Sequence, residues 1–275
     1  MVGDMKYKKF RVKNHAVAGV IEALLMVALV SIIISMIQLI YIPQIMEQRE
    51  ADHMDEVSNQ FSTLKSMIEL QAITNSSAPI STMITLGSRE LPYFITARAF
   101  GEIRVEDSGE WDISVNHAHV EDLTSITYEA SNSYFVDQTY ALEGGGIIVK
   151  QPNGKPVMRV DPSISVEIKD RVYIQFNLPI FVGVPGKDLT SGLGKCFVRT
   201  NWSQGDNSPW DADSINISTQ YPNAWNESLY GMLGDSVIYN EGPSYVEITK
   251  GGAETIRFVI NYYYIYVQIG HGWIK

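Results

Sequence analysis

The chain has 275 residues, of which 45% are hydrophobic and 19% charged, with a formal net charge of −10; that is enough for one large β domain or two small domains at an ordinary globular share of apolar residues. The charge is unevenly placed: the first sixteen residues hold Lys6, Lys8, Lys9, Arg11 and Lys13 against Asp4, so of 21 basic and 31 acidic residues the remainder keeps 16 and 30. A basic head on an acidic body excludes nucleic-acid binding by the folded part, which would need a basic surface, and the single cysteine, Cys196, excludes an intramolecular disulfide.

Residues 1–16 form a basic leader. From Val17 to Ile42 the chain then carries one charged residue, Glu22, in 26 positions. At about 1.5 Å per residue such a helix reaches about 39 Å, more than the roughly 30 Å bilayer core, so 17–43 is expected to span a membrane. A cleaved secretory signal would have a shorter apolar stretch of about 7–15 residues and a small-residue cleavage site; here the run ends Tyr41-Ile42-Pro43-Gln44. Lys and Arg ahead of the run, with Glu47, Glu50, Asp52, Asp55 and Glu56 behind it, predict a cytoplasmic N-terminus and an extracellular C-terminal part.

The helical period continues past Pro43. Met54, Val57, Phe61, Leu64 and Ile68 fall at spacings of 3, 4, 3 and 4, which predicts an amphipathic extension over 44–72 and one helix, loosened at Pro43, from about residue 17 to about residue 70. Its apolar stripe calls for cover, either from the chain's own domain or from neighbouring helices.

The stretch Thr74-Asn75-Ser76-Ser77-Ala78-Pro79 reads as a linker, 73–79, followed by a domain over 80–275. Runs rich in β-branched and aromatic residues predict strands at 81–86, 93–105, 111–115, 123–128, 146–150, 157–160, 163–168, 172–178, 197–200, 236–239, 245–249 and 253–268. Residues 183–225, rich in Gly, Ser, Asn, Asp and Pro, read as long loops. The last strand is apolar on both faces, which makes it a central or interface strand, or a tyrosine platform for a partner or a sugar. The expected fold class is therefore α+β: a long N-terminal helix followed by an antiparallel β-sandwich-like domain.

Chemistry-bearing patterns are few. His117, His119 and Glu121 alternate, so in a strand they share one face at a spacing that suits a metal; no fourth ligand is fixed by sequence, and no metal or other cofactor is assigned. Gly192-Leu193-Gly194-Lys195 glances at a phosphate loop, but Leu189 and Cys196 occupy places that pattern reserves for Gly and for Ser or Thr. No serine-hydrolase elbow, catalytic Cys–His context or zinc-protease motif is present, so the expectation is a protein that is not an enzyme. Cys196 reads as a free, buried thiol. Four N-x-[ST] sequons, at Asn75, Asn201, Asn216 and Asn226, fall in segments read as loops on the outer side, and are candidates for N-glycosylation.

A short basic leader, then Val17-Ala18-Gly19-Val20-Ile21-Glu22-Ala23-Leu24-Leu25-Met26-Val27-Ala28 opening a long helix, resembles archaeal type IV pilin-like proteins, the group with class III signal peptides. Further on, Ile84-Thr85-Leu86-Gly87-Ser88-Arg89-Glu90-Leu91-Pro92 and Tyr140-Ala141-Leu142-Glu143-Gly144-Gly145-Gly146 resemble membrane-anchored pilin-like proteins of that kind. The resemblance implies cleavage between Ala16 and Val17 by a membrane prepilin peptidase, followed by packing of the apolar helices with other pilin-like subunits. It also implies that Glu22 pairs with the new N-terminal ammonium of an adjacent subunit and so sets axial register. Before cleavage, a carboxylate in the first turns is favoured there by the helix N-terminus and the cationic leader.

Two functions follow as expectations. One is a structural subunit, minor or accessory, of a type IV pilus-like or archaellum-like surface filament that displays a glycosylated β domain. The other is a permanently membrane-anchored surface module that recognises glycans or cell-envelope components.

Overall fold

The computed structural model describes residues 14–91, 97–106, 111–251 and 255–272. The chain divides into two units, Met1–Met46 and Glu47–Lys275. In the first, α1 spans Asn14–Met36 and a single π-helical turn covers Ile37–Tyr41; α2, Ile42–Thr74, continues the helix into the second. The wide turn has a cause in Pro43, which lacks an N–H and crowds the carbonyl one turn earlier. With the Ile42 N–H donating to the Ile37 carbonyl, the helix passes the proline without breaking.

After α2 the chain makes strands almost throughout. In order they are β1 (Ile80–Thr85), β2 (Phe100–Val105), β3 (Asp112–Val115), β4 (Ala118–Asp122), β5 (Ile126–Ser131), β6 (Gln138–Glu143), β7 (Gly146–Lys150), β8 (Val157–Val160) and β9 (Ile164–Ile168). There follow β10 (Val172–Gly183), β11 (Leu189–Gly192), β12 (Lys195–Ala212), β13 (Ser214–Ser218), the helix α3 (Pro222–Leu233), β14 (Val237–Glu241), β15 (Tyr245–Lys250) and β16 (Ile256–Ile269). They form three sheets in the orders β1-β12-β16-β10-β9, β11-β2-β5-β6-β7-β8 and β14-β15-β13-β3-β4. The fold is α+β, a long N-terminal helix followed by a mostly antiparallel β domain. One ladder departs from the antiparallel rule: β10 runs parallel to β16, from Tyr173 opposite Arg257 to Gly183 opposite Val267. A parallel pair is usually buried on both faces, and it lies in the middle of the first sheet.

The largest correction to the sequence reading concerns 183–225. That region holds β11, an 18-residue β12, β13 and the start of α3, where long loops were expected around a single predicted strand, 197–200. Its polarity has a positional reason: residues 203–207 of β12 are exposed on the first sheet, so the apolar alternation that marks a half-buried strand is missing there. The strands β4 and β6 were not predicted either. The segment 92–96, inside the predicted strand 93–105, lies outside the described residues.

Two cores result. In one, Met54, Val57, Phe61, Leu64 and Ile68 of α2 pack with residues such as Ile84, Tyr128, Tyr140, Cys196 and Ile265 of the first and second sheets. In the other, Trp225 and Leu229 of α3 pack with Trp111, Ile113 and Ile217 and with Phe176, Phe258 and Ile260 of the first sheet. β16 serves both. Its residues Ile256, Phe258 and Ile260 enter one core and Tyr263, Ile265, Val267 and Ile269 the other, which is why the strand reads as apolar on both faces.

The stretch Tyr140-Ala141-Leu142-Glu143-Gly144-Gly145-Gly146 is the β6–β7 hairpin. Glu143 pairs with Gly146, and the two residues between have φ of 58° and 78°, the double left-handed turn that glycine permits at no steric cost. A Cβ on Gly144 would stand 2.8 Å from the Trp225 ring. Glu143 itself is buried and accepts from Trp225 Nε1 and Thr219 Oγ1, both at 2.6 Å. This motif is a structural corner of the domain.

Candidate functional site

The first unit contains one feature that calls for a partner. Among residues 18–41 every residue is exposed, the large apolar side chains from Ile37 at 37% to Leu39 at 76%, and among the described residues this is the one helix long and apolar enough to cross a membrane. Burial of a Leu, Ile, Val or Met side chain is worth about 1.5–3 kcal/mol, so a surface carrying this many is stable only against lipid or other apolar helices. Glu22 sits among Ala18, Ile21, Leu25, Met26 and Leu29. Residues 1–13 of the leader lie outside the described residues, as do the side chains of Ala16 and Val17, whose backbone is already helical.

Within the second unit the same helix is treated in the opposite way. The apolar stripe is covered by the chain's own sheets, with Val57, Phe61 and Leu64 fully buried. Phe61 lies between Tyr128 and Tyr140, with ring centroids at 6.2 and 5.8 Å. Three polar side chains that the apolar stripe did not include, Glu50, His53 and Gln71, extend this contact. Glu50, fully buried, accepts the backbone N–H groups of Ser133 (3.1 Å), Tyr134 (2.7 Å) and Phe135 (2.7 Å) in the β5–β6 loop. His53 is buried with Nε2 at 3.2 Å from the Tyr128 hydroxyl, which donates to the Leu86 carbonyl. Burial holds its imidazole pKa below the ordinary value, against the opposing pull of Glu56, the Leu86 backbone and Glu50. Gln71, fully buried at the other end, donates Nε2 to the Ala78 and Thr200 carbonyls and accepts from Thr200 Oγ1, all at 2.9 Å.

A signal for two of these was present. One step before Met54 at a spacing of four is Glu50, and one step after Ile68 at a spacing of three is Gln71. The helical period thus continues through polar residues, each of which the fold satisfies with hydrogen bonds.

The remaining candidates are scattered. Asn116 and His117 form the left-handed turn between β3 and β4, with φ of 50° and 64°, so His117 precedes the strand and the expected alternation with His119 and Glu121 does not hold. His119 Nδ1 lies 3.0 Å from Asp112 Oδ1, and the Glu121 side chain lies outside the described residues. Among the described residues no group of three potential ligands converges on a metal position. Cys196 is free and buried on β12, where burial pushes its thiol up to about 12, far from the range of reactive cysteines. No protein-family model, no curated protein and no solved structure matches this chain.

Of the four sequons, Asn75 stands just past the end of α2, exposed, with a φ of 48°. The others lie in regular structure: Asn201 in β12, Asn216 in the central strand β13, and Asn226 in α3 with Nδ2 donating to Glu241 Oε2 at 2.6 Å. Asn75 therefore has the accessible loop setting a glycan requires.

Proposed function

We propose that this chain is a pilin-like subunit of a type IV pilus-like or archaellum-like surface filament, in a minor or accessory role. The observation that carries the reading is the division of one helical run: the apolar stripe of its second part, Met54 to Ile68, is buried against the chain's own sheets, and among the described residues nothing covers residues 18–41. A helix that only anchors has to satisfy lipid. A helix that also assembles has to satisfy lipid first and neighbouring helices afterwards, and a carboxylate such as Glu22, set among apolar side chains near the start, gains a counter-charge in the second setting when a cleaved neighbour presents its ammonium. On this reading the basic leader stays in the cytoplasm, a prepilin peptidase cuts between Ala16 and Val17, the β domain faces outward, and the protein carries no catalysis.

The test is the N-terminus of the native protein together with Glu22→Ala. The reading expects native chains to begin at Val17, and the variant to insert into membranes normally while failing to co-purify with filament subunits. Native chains that retain the leader and sit singly in the membrane would replace it with a permanent surface anchor.

A further inference from the structure

The first sheet has an open stretch on the face that α2 covers elsewhere. Tyr263, Ile265, Val267 and Ile269 of β16 are buried on that face, but α2 ends at Thr74. One pair further along the sheet, Asn261 lies opposite Asn207 of β12 on one side and opposite Asn177 of β10 on the other. Three carboxamides therefore stand abreast on neighbouring strands. Asn is depleted from strands, and a core would have filled this row with apolar residues. Asn261 Nδ2 donates to Asn177 Oδ1 at 2.8 Å, and Asn177 Nδ2 donates to the Ser163 carbonyl at 3.2 Å. These bonds fix the Asn261 and Asn177 amides and leave Asn261 Oδ1 and a second hydrogen on each of their Nδ2 atoms unused by them.

The neighbouring row makes room. Trp202 pairs with Ile265 and Gly205 with Tyr263, so β12 carries one extra residue between them. Such a bulge bends a strand and re-aims its side chains. Gly205 opposite Tyr263 adds no side chain to the floor, and the result is a groove of about 970 Å³ whose walls include the amide row, Trp202 and Tyr263. Its charged lining residues are both acidic, Glu69 and Asp206. Glu69 accepts from the Ser163 hydroxyl and pairs with Lys65, so it too is held in place.

We propose that this groove binds a neutral saccharide. Aromatic side chains supply flat apolar surface for the C–H face of a sugar ring, and amides with carboxylates supply donors and acceptors for its hydroxyls. The two carboxylates, with no Lys or Arg in the lining, disfavour phosphate and other anions. The volume lies at the upper end of the roughly 300–1,000 Å³ of small-molecule sites, which suits a short oligosaccharide. The assignment holds whether the chain assembles or stands alone, since every residue it uses belongs to the β domain and the end of α2.

The experiment uses the full chain, made in a host without N-glycosylation and held in a detergent without a sugar headgroup. It is titrated with maltotetraose, cellotetraose, mannotetraose and chitotetraose, with inorganic phosphate as the anionic control, and followed by calorimetry and tryptophan fluorescence. At least one tetrasaccharide is expected to bind with Kd at or below about 1 mM, and Asn261→Ala and Trp202→Phe to weaken it by about tenfold or more. Both variants should keep the wild-type circular dichroism; Asn207→Ala, at an exposed position, repeats the test if Asn261→Ala does not fold. Absence of binding by all four sugars, binding unchanged in the folded variants, or phosphate binding in their place would overturn the proposal. So would a groove occupied by a second copy of the chain, seen as self-association that Asn261→Ala abolishes without any sugar binding.

Discussion

Residues 18–41 and 47–74 belong to one helical run and are built on opposite principles. The first part is exposed and apolar save for a few residues such as Glu22, with no partner among the described residues, so its stability is decided by what surrounds it. The second is apolar on one stripe, and that stripe together with Glu50, His53 and Gln71 is completed by the chain's own strands. The contrast teaches that helical periodicity and hydrophobicity carry separate information: the period says where a helix meets its own fold, and its absence in a greasy run says that the partner lies elsewhere.

The sharpest way to break the comparison is to empty the centre of the second part. Phe61 is fully buried between two tyrosine rings, and Phe61→Ala should cost about 3–5 kcal/mol of unfolding free energy. Denaturant titration followed by tryptophan fluorescence reads this directly, because all five tryptophans lie at or beyond residue 111. A loss of less than about 1 kcal/mol, the range of a surface change, would mean that the helix is not seated on the sheets as described.

Next comes the polar anchor. Glu50→Ala leaves three backbone N–H groups of the β5–β6 loop without their acceptor, and hydrogen bonds to a charged group are worth about 1.5–3 kcal/mol; a loss of about 3 kcal/mol is expected in the same assay. Glu50→Gln, which keeps one acceptor oxygen, should lose less. Hydrogen exchange of the Ser133, Tyr134 and Phe135 amides adds a local readout, and these amides should lose protection in Glu50→Ala before the rest of the domain does.

How much of this was legible in the sequence depends on whether one face of an element was wholly apolar. The spacing of Met54, Val57, Phe61, Leu64 and Ile68 is a signal that only a helix with one covered face produces. The apolar runs that became β7, β8 and β16 were equally plain. What escaped was structure whose covered and open faces change part-way. β12 is buried at Cys196 and Val198, open at 203–207 and buried again at Ala212, so no single period describes it. Asn177, Asn207 and Asn261 lie 30 and 54 residues apart along the chain, and only the pairing of β10 and β12 with β16 brings them into one row. Sequence patterns report local periodicity; a row across strands is set by register, which depends on partners far away in the chain.

A smaller effect concerns pH. Burial holds the His53 imidazole pKa below its ordinary 6.5, so folding disfavours the protonated ring. The sign follows: the stability His53 contributes is fully present above the unfolded value of about 6.5 and is lost as pH falls through the lowered folded value. The groups facing it are Glu50 and Glu56 on its own helix and the Tyr128 hydroxyl from β5. Glu50 and Glu56 are kept in His53→Gln, so the difference between the two melting-temperature profiles isolates the imidazole. Wild type should lose stability on mild acidification faster than His53→Gln; parallel profiles would show that the ring carries its proton into the fold at no cost.

The smallest expected effect is the one that tests the other half of the comparison. Leu25 is 65% exposed on α1, and among the described residues Leu25→Ala leaves no buried contact unsupported. A buried leucine truncated in this way costs about 2–5 kcal/mol; here the denaturant midpoint of the β domain should stay within about 0.5 kcal/mol of wild type. The change should register instead where the side chain finds its apolar surroundings, in the yield of chain recovered with membranes or with filament subunits. If Leu25→Ala destabilised the β domain as much as a buried truncation does, residues 18–41 would have a partner within the chain, and the division of the helix into a served and an unserved part would fail.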